Sequence, residues 1–266
     1  MIQAGVTHIG THSFQGCEAL ASLTLGSSVE SIGRYAFSGC PALTFLTIPD
    51  SVRTIGEDAF RNCSSLTTLR LGSGLTEIGK GGFSWTALTA VTIPDNVTTL
   101  GINAFSGCEA LASVIIGGGL TTVGERVFAG DYALSAIIFT SSAWTLTDIG
   151  SDAFSLGNVT HPVTCTVYSP GNMADGRLDP YRGSYTTFVY SAPTQWTSGD
   201  CTCTLYPGSG LFTVSGEGEM ADYEGARDVP WYSYLSQIKE IKIESGVTYI
   251  GANSLQFTKA ARIDIA

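Results

Sequence analysis

Three histidines are the first residues in this 266-residue chain to test for metal binding or catalysis. His8 and His12 lie four residues apart close to Glu18, and on a helix that spacing would offer two imidazoles to one zinc ion. Here the two histidines flank a turn, and His161 is far away in the sequence. We therefore expect neither a metal cage nor a catalytic triad.

Four of the seven cysteines repeat at a regular spacing, each three residues after a phenylalanine: Cys17, Cys40, Cys63 and Cys108. Free cysteine is among the most frequently buried residue types, so the pattern favours small apolar side chains stacked on one another. Neighbouring segments at a sheet-like spacing of roughly 5 Å would also permit a Cys17–Cys40 or Cys40–Cys63 bridge. Both interpretations are compatible with the sequence.

The other three cysteines lie further along the chain. Cys201 and Cys203 alternate on a predicted strand, which places both side chains on one face. Cys165 is the most plausible disulfide partner for one of them. A zinc site is weakly supported, because no histidine or second cysteine pair stands at ligand spacing.

Carboxylates in the second half of the chain could supply oxygen ligands for calcium: Asp175, Asp179, Glu217, Glu219, Asp222 and Glu224. Their spacing lacks the regular frame of a calcium-binding loop, and solvated loops explain them equally well. Nothing in the sequence fixes Glu217 and Glu219 at a glycosidase distance. The sequence thus predicts no catalytic residue, no metal site and no cofactor, and we expect the protein not to be an enzyme.

The elements that position these residues are internal repeats. An Ile-Gly pair or a close variant recurs 22 to 26 residues apart, at Gly10, Gly33, Gly56, Gly79, Gly101, Gly124 and Gly150. A phenylalanine follows four residues later in every copy, and a short strand-like run follows in the first six, from Leu23–Leu25 to Ile137–Phe139. A unit of this length cannot bury its own apolar face, so stacked copies must share one core.

One copy shows the predicted alternation of side chains. Between residues 51 and 71, the apolar positions are expected to point inward, namely Val52, Ile55, Ala59, Phe60, Leu66, Leu69 and Leu71. Gly56 is expected to allow a tight turn, and Thr68 and Arg70 to face outward along a strand. The fold class predicted is a leucine-rich-repeat solenoid, α/β or mainly β, with a parallel sheet of short strands and a small β-hairpin module.

Composition and charge restrict the function classes. A net charge of −10 and only 13 scattered basic residues argue against nucleic-acid binding, which depends on clustered Lys and Arg. No apolar run approaches the roughly 18 residues of a membrane helix, and no signal segment opens the chain, so no membrane insertion is expected.

The regular spacing stops after Phe154, and four regions are predicted: 1–160 as the solenoid, 161–194 as a capping segment, 195–237 as a β-hairpin linker and 238–266 as the start of a second solenoid. The hairpin is expected from the runs Cys201–Leu205 and Leu211–Val214 around the turn at 207–210. Residues 2–10 match residues 243–251 at a constant offset of 241. This match suggests a piece of a longer protein in which hairpin and solenoid alternate.

The motif Ile-Gly-x-x-Ala-Phe-x-x-Cys-x-x-Leu-x-x-Leu-x-Ile-Pro-Asp-x-Val, most complete at 32–52, resembles the BspA-type leucine-rich repeat of bacterial and protist surface proteins. The similarity covers residues 1 to about 155 and again from about 238. One departure is that Trp85 and Thr86 stand where cysteine is usual. The resemblance implies a secreted or cell-surface protein that adheres to a protein ligand, with host extracellular-matrix proteins as candidates.

Outward positions of the stacked strands are predicted to form a concave binding surface, with Phe45, Thr47, Thr68, Arg70, Thr92, Ile115 and Ile138 as its candidate residues. Ile115 and Ile138 fall on adjacent copies and would form an exposed apolar pair. The alternative is that the segment from His161 onward folds over them.

Two other function classes stay open. One is a structural stalk or spacer of a larger surface protein, without any ligand. The other is carbohydrate binding by an aromatic cluster in the hairpin region: Trp196, Tyr206, Tyr223, Trp231, Tyr232 and Tyr234. Aromatic rings stack on sugars, although Trp231 after Pro230 is more typical of a core anchor.

Overall fold

The computed structural model describes residues 2, 5–141, 145–169, 176–207 and 209–265. Contacts divide the chain into two compact units, Met1–Ser191 and Ala192–Ala266. Each unit has a hydrophobic core of its own. Neither of the two short helical turns among the described residues is long and apolar enough to cross a membrane.

The first unit is built from short strands and one 3-10 turn, Asp179–Tyr181. Its strands are β1 (His8–Ile9), β2 (Ser31–Ile32), β3 (Phe45–Thr47), β4 (Thr54–Ile55), β5 (Thr68–Arg70), β6 (Glu77–Ile78), β7 (Ala90–Ile93), β8 (Thr99–Leu100), β9 (Ser113–Ile116), β10 (Thr122–Val123), β11 (Ala136–Phe139), β12 (Asp148–Ile149), β13 (Val163–Tyr168) and β14 (Thr186–Ser191). All of their pairings are parallel, as the repeats predict.

These strands form two faces of one solenoid. The two-residue strands that end in the Ile-Gly isoleucine or its equivalent form a seven-stranded sheet, β1-β2-β4-β6-β8-β10-β12. The longer strands form a pair, β3-β5, and a five-stranded sheet, β7-β9-β11-β13-β14. The predicted parallel-sheet solenoid is thus confirmed, in its mainly β form.

The third copy shows the predicted alternation along its strand. Phe60 and Leu66 are fully buried and Leu69 nearly so, whereas Arg70 between the inward positions is exposed. Leu71 is only partly buried. Inward and outward positions along β5 therefore follow the period of two that a strand imposes.

The Ile-Gly glycines have a role other than the one predicted. Gly56 does not have a left-handed backbone, so it does not make the turn by its conformational freedom. A Cβ at this position would instead lie 2.8 Å from Arg34 N and Gly33 C in the preceding coil, closer than real Cβ contacts come. Glycine is required here because two backbones pass almost in contact.

A second row of backbone hydrogen bonds joins the coils beyond these glycines. In every copy, the residue two positions after the Ile-Gly glycine has a left-handed backbone, with φ between 52° and 62°. These residues are His12, Tyr35, Asp58, Gly81, Asn103, Arg126 and Asp152. In the second coil, the amides of Tyr35, Phe37 and Gly39 donate to the carbonyls of Glu57, Ala59 and Arg61. The turns are therefore hydrogen-bonded from coil to coil in the same way as the strands.

A stack of phenylalanine rings runs through the core of the first unit: Phe14, Phe37, Phe60, Phe83, Phe105, Phe128 and Phe154. Neighbouring ring centroids are 5.1 to 5.8 Å apart, with interplanar angles of 2° to 25°. All except Phe14 are fully buried. This spacing is within the range in which aromatic pairs add stability beyond their buried area.

Two predicted strand regions differ in outcome. Leu23–Leu25 is described but forms no strand, although the Thr24 carbonyl accepts from the amide of Ile2 at 2.8 Å. The strand-like runs predicted within 161–194 are confirmed as β13 and β14. They continue the parallel sheet by two strands beyond β11.

The second unit begins as an antiparallel hairpin and continues as parallel coils. Its strands are β15 (Thr194–Ser198), β16 (Cys201–Tyr206), β17 (Leu211–Gly216), β18 (Gly218–Glu219), β19 (Glu240–Ile243), β20 (Val247–Tyr249) and β21 (Arg262–Ile265), with a 3-10 helix at Tyr232–Gln237. The predicted hairpin is confirmed as β16-β17; Gly208 of its turn is outside the described residues. The parallel strand β19 joins this hairpin directly. The finer division of the chain at residues 160 and 237 stays a prediction.

The phenylalanine stack predicts a position-dependent loss of stability. Phe60→Ala should lower the free energy of unfolding by about 3–5 kcal/mol, because it removes a fully buried ring with a stacked neighbour on each side. Phe14→Ala is the matched control, since Phe14 is 38% exposed and stacks on one side only. Urea unfolding followed by circular dichroism measures both variants. Equal losses would contradict a continuous stack.

Candidate binding surface

The outward side chains of the longer strands lie in two rows across the sheet. One row contains Phe45 and Thr68, and then Ala90, Ser113, Ala136, Thr166 and Val189. The other contains Thr47 and Arg70, and then Thr92, Ile115, Ile138, Tyr168 and Ser191. Strand register thus places all seven predicted binding residues on these two rows.

The outward face of β3 and β5 is largely open to solvent, and that of β7 is partly buried. Phe45 is 47% exposed, Thr47 and Arg70 are exposed, and Thr68 and Thr92 are partly buried. Phe45 and Thr68 are direct neighbours across the pair, as are Thr47 and Arg70. The arrangement is one large aromatic ring among small hydroxyl side chains and one guanidinium group.

The predicted exposed pair Ile115 and Ile138 is wrong. Ile115 is 5% exposed and Ile138 is 0% exposed, and Tyr168, which pairs with Ile138, is buried as well. In the row that contains Thr47, exposure therefore falls from Thr47 and Arg70 to the buried Ile115, Ile138 and Tyr168, and Ser191 on β14 is exposed again. This burial agrees with the alternative that later chain folds over the pair, and it removes both residues from the binding surface.

The candidate metal ligands do not come together. His8 Nδ1 lies 2.8 Å from Thr7 Oγ1, whereas His12 Nδ1 lies 2.6 Å from Gln15 Oε1 and its ring stacks on Tyr35. Across the described part of the chain, no group of three His, Cys, Asp or Glu side chains could hold a metal ion. Asp175, proposed as one calcium ligand, is outside the described residues.

The aromatic cluster of the second unit is mostly core. Trp231 is fully buried and its Nε1–H donates to the Ser254 carbonyl at 3.0 Å. Trp196 packs edge-on to Trp231 with centroids 6.2 Å apart, and Tyr223 does so at 5.8 Å. The core-anchor interpretation of Trp231 is confirmed, and the sugar-binding alternative loses its central ring.

All seven cysteines are free. Cys40, Cys63 and Cys108 are fully buried, and each thiol donates to a phenylalanine carbonyl of an earlier coil, at 3.3 to 3.4 Å. Burial raises the pKa of Cys63 and of Cys108 to about 12, so these thiols are protonated and inert at neutral pH. The structural interpretation of this column is confirmed.

Three copies replace cysteine in this column, with Thr86, Asp131 and Gly157. Thr86 stands at the position in the fourth coil, where its Oγ1 lies 3.2 Å from Cys108 Sγ. Asp131 stands there in the sixth coil; it is fully buried, and its Oδ1 accepts from the Cys108 amide at 2.8 Å. Asp131 Oδ2 has no hydrogen-bond partner among the described residues. The sequence signal for Asp131, three residues after Phe128, was available and was missed.

Burial raises the pKa of Asp131 well above its ordinary value, and hydrogen bonds from the Cys108 and Gly107 amides only partly oppose this. An unpaired buried carboxylate would be costly, so the side chain is a neutral acid in the folded protein. Nothing about this site supplies a substrate cavity, and Asp131 is a structural residue.

The family of the chain follows from its repeats. A model of the BspA type leucine rich repeat region, with six copies, matches residues 1–108 and 31–160. These matches cover more than half of the chain, and the protein belongs to this family of leucine-rich repeats. A search of curated protein sequences gave no match.

Solved structures of bacterial leucine-rich repeat proteins have a similar fold. A T. pallidum leucine-rich repeat protein is 27% identical over 71% of this chain and 83% of its own, with a TM-score of 0.54. A leucine-rich repeat protein from Bacteroides ovatus is 20% identical over 71% of this chain and 65% of its own, with a TM-score of 0.43. A leucine rich cell surface protein from Faecalibacterium prausnitzii is 20% identical over 100% of this chain and 78% of its own, with a TM-score of 0.37. The family match and the similarity to the T. pallidum protein support the architecture of a repeat protein-interaction module.

Asp131 gives the first unit a specific pH dependence. Because its pKa is higher in the folded than in the unfolded chain, the folded state holds the extra proton between about pH 4 and the raised value. The contribution of Asp131 to stability is present below that window and is lost as the pH rises through it.

Asp131→Asn keeps the acceptor for the Cys108 amide but cannot ionise, so the variant should gain stability relative to the natural protein as the pH rises. Urea unfolding from pH 4 to pH 8 measures the difference, with Asp131→Cys as a second variant that restores the cysteine column. A constant difference across this range would contradict a buried neutral acid.

Proposed function

We propose that this chain is a non-enzymatic protein-binding module of a secreted or cell-surface protein, and that it holds its ligand against the outward face of β3, β5 and β7. The observation that carries the proposal is the contrast along the sheet. Exposed side chains of the two rows lie on β3 and β5, those on β7 are partly buried, and both rows are fully buried at β11 before Val189 and Ser191 on β14 are exposed again.

The chemistry of the open part suits a protein ligand. Phe45 offers an exposed ring that a partner can enclose, and aromatic and arginine side chains are the commonest energetic centres of interfaces. Small polar neighbours such as Thr47 and Thr68 leave room for a polar, hydrated rim. The buried thiols are protonated and the histidines are scattered, so neither group supplies the nucleophile and base that catalysis would need.

The family supports the location and the role. Leucine-rich repeats of the BspA type are repeat units for protein interaction, which favours adhesion at a cell surface, with a host matrix protein as a candidate ligand. Weak binding by a single module would gain strength from several copies in one protein through a high effective concentration. A stalk without any ligand is the competing function, and a binding screen distinguishes the two functions.

A binding screen tests the proposal. The purified chain is presented as a monomer and as a tethered tandem to immobilised fibronectin and fibrinogen, with a glycan array alongside. Phe45→Ala should weaken binding to the protein hit roughly 30-fold, as expected for an interface centre of about 2 kcal/mol. Arg70→Ala should weaken it as well.

Val189→Ala is the matched control. Val189 is an exposed apolar residue in the same row as Phe45, but on β14 at the far end. Its replacement should leave binding unchanged. Equal losses in both variants would argue against the β3-β5-β7 surface, and no protein hit in either format would favour the stalk.

A further inference from the structure

Trp85 stands out on the turn side of the solenoid, away from the rows discussed above. It is 53% exposed, and its backbone is left-handed, with φ of 60°. In the first six coils, the other corresponding positions are Gly16, Gly39, Asn62, Gly107 and Gly130. All of these have positive φ, and glycine and asparagine adopt it at little cost.

A bulky side chain at such a position is strained, and burial does not compensate for it here. The backbone amide of Trp85 donates to the Ser106 carbonyl at 2.9 Å, which fixes the left-handed conformation within the ladder between coils. More than half of the side chain remains in solvent. Stability of the solenoid alone therefore does not account for tryptophan at this position.

The indole lies flat on the next coil. A Cβ built on Gly107 would meet Cδ2 and Cε3 of Trp85 at 2.9 Å each and Cε2 at 3.2 Å. Three atoms of the ring at nearly equal distances mean that Gly107 supports the face of the indole and not its edge. With one face held against backbone, the exposed area of the ring belongs largely to the opposite face.

The surroundings of the ring are polar. Asn62, one coil earlier in the same column, is exposed, and its side chain has no hydrogen-bond partner among the described residues. Gly107 on the other side presents no apolar side chain. A protein interface centre usually lies in a surround of apolar and tightly packed contacts, which this column does not provide.

We infer that Trp85 is the stacking platform of a carbohydrate subsite, with Asn62 beside it to hydrogen-bond a sugar hydroxyl. The apolar face of a pyranose matches a flat, outward indole, and an amide both donates to and accepts from hydroxyl groups. A nucleobase could also stack, but its phosphates would meet a chain of net charge −10. This subsite is separate from the proposed protein-binding surface and from the buried aromatic cluster of the second unit.

Tryptophan fluorescence titration with cellobiose, lactose, maltose and N,N′-diacetylchitobiose tests the inference, alongside a glycan array. At least one pyranose ligand should bind and change the fluorescence. Trp85→Gly restores the commonest residue of the column and relieves the strain of a bulky side chain at positive φ, so it should melt no lower than the natural protein. Its binding on the glycan array, a readout that does not depend on indole fluorescence, should become at least about tenfold weaker. Asn62→Gly should weaken binding while keeping the fluorescence response.

Phe45→Ala is the control, and it should bind the sugar as the natural chain does. Its own effect on protein binding is read in the earlier screen, so failure of one site is distinguishable from failure of the other. Absence of any sugar ligand in both assays would overturn the inference, as would unchanged sugar affinity in Trp85→Gly. A protein ligand that depends on Trp85 would overturn the assigned ligand class.

Discussion

Hydrogen bonding between the backbones of successive coils is the constraint on which the rest of the structure depends. It runs along the strands, where pairs such as Ile32 and Ile55 are in parallel register, and it continues through the turns, where Phe37 donates to Ala59. Coils of nearly constant length, mostly 22 or 23 residues, keep both rows in register. Left-handed residues such as Tyr35 and Asp58 aim their amides at the next coil, so their strain is compensated by hydrogen bonds that an ordinary turn would lack.

Once the register is fixed, each position in the repeat becomes a column of side chains. The residue at each position must then fit the side chains above and below it in that column. The phenylalanines stack because their coils are one ring spacing apart. The carboxylate of Asp50 accepts from the amide and the hydroxyl of Ser73 at 2.6 and 3.0 Å, and Asp95 accepts from the Gly118 amide at 2.8 Å. A residue that differs from the type common to its column, such as Asp131 or Trp85, therefore requires a local physical explanation.

The sequence was sufficient for the features that repeat and insufficient for those that do not. Period and apolar pattern predicted the solenoid and the burial of Phe60, because a strand or stack position has the same environment in every copy. They could not predict that Gly56 serves close approach, since a glycine looks the same in both roles. The outward position of Ile138 was predicted correctly, but its exposure was not, because the alternation of a strand determines the side on which a residue lies and not whether that side is covered.

The difference between inward and outward columns has a functional consequence. Inward columns are restricted by their neighbours, whereas outward residues contribute little to coil-to-coil bonding and can vary without loss of the fold. The outward row contains an exposed aromatic ring at Phe45 in the β3-β5 pair and a buried alanine at Ala136 in the five-stranded sheet, and the strands beneath both are in parallel register with their neighbours. Recognition can therefore be confined to a few coils of a long scaffold. That separation would allow one stack to carry the proposed protein-binding surface on its strand side and the proposed sugar subsite at Trp85 on its turn side.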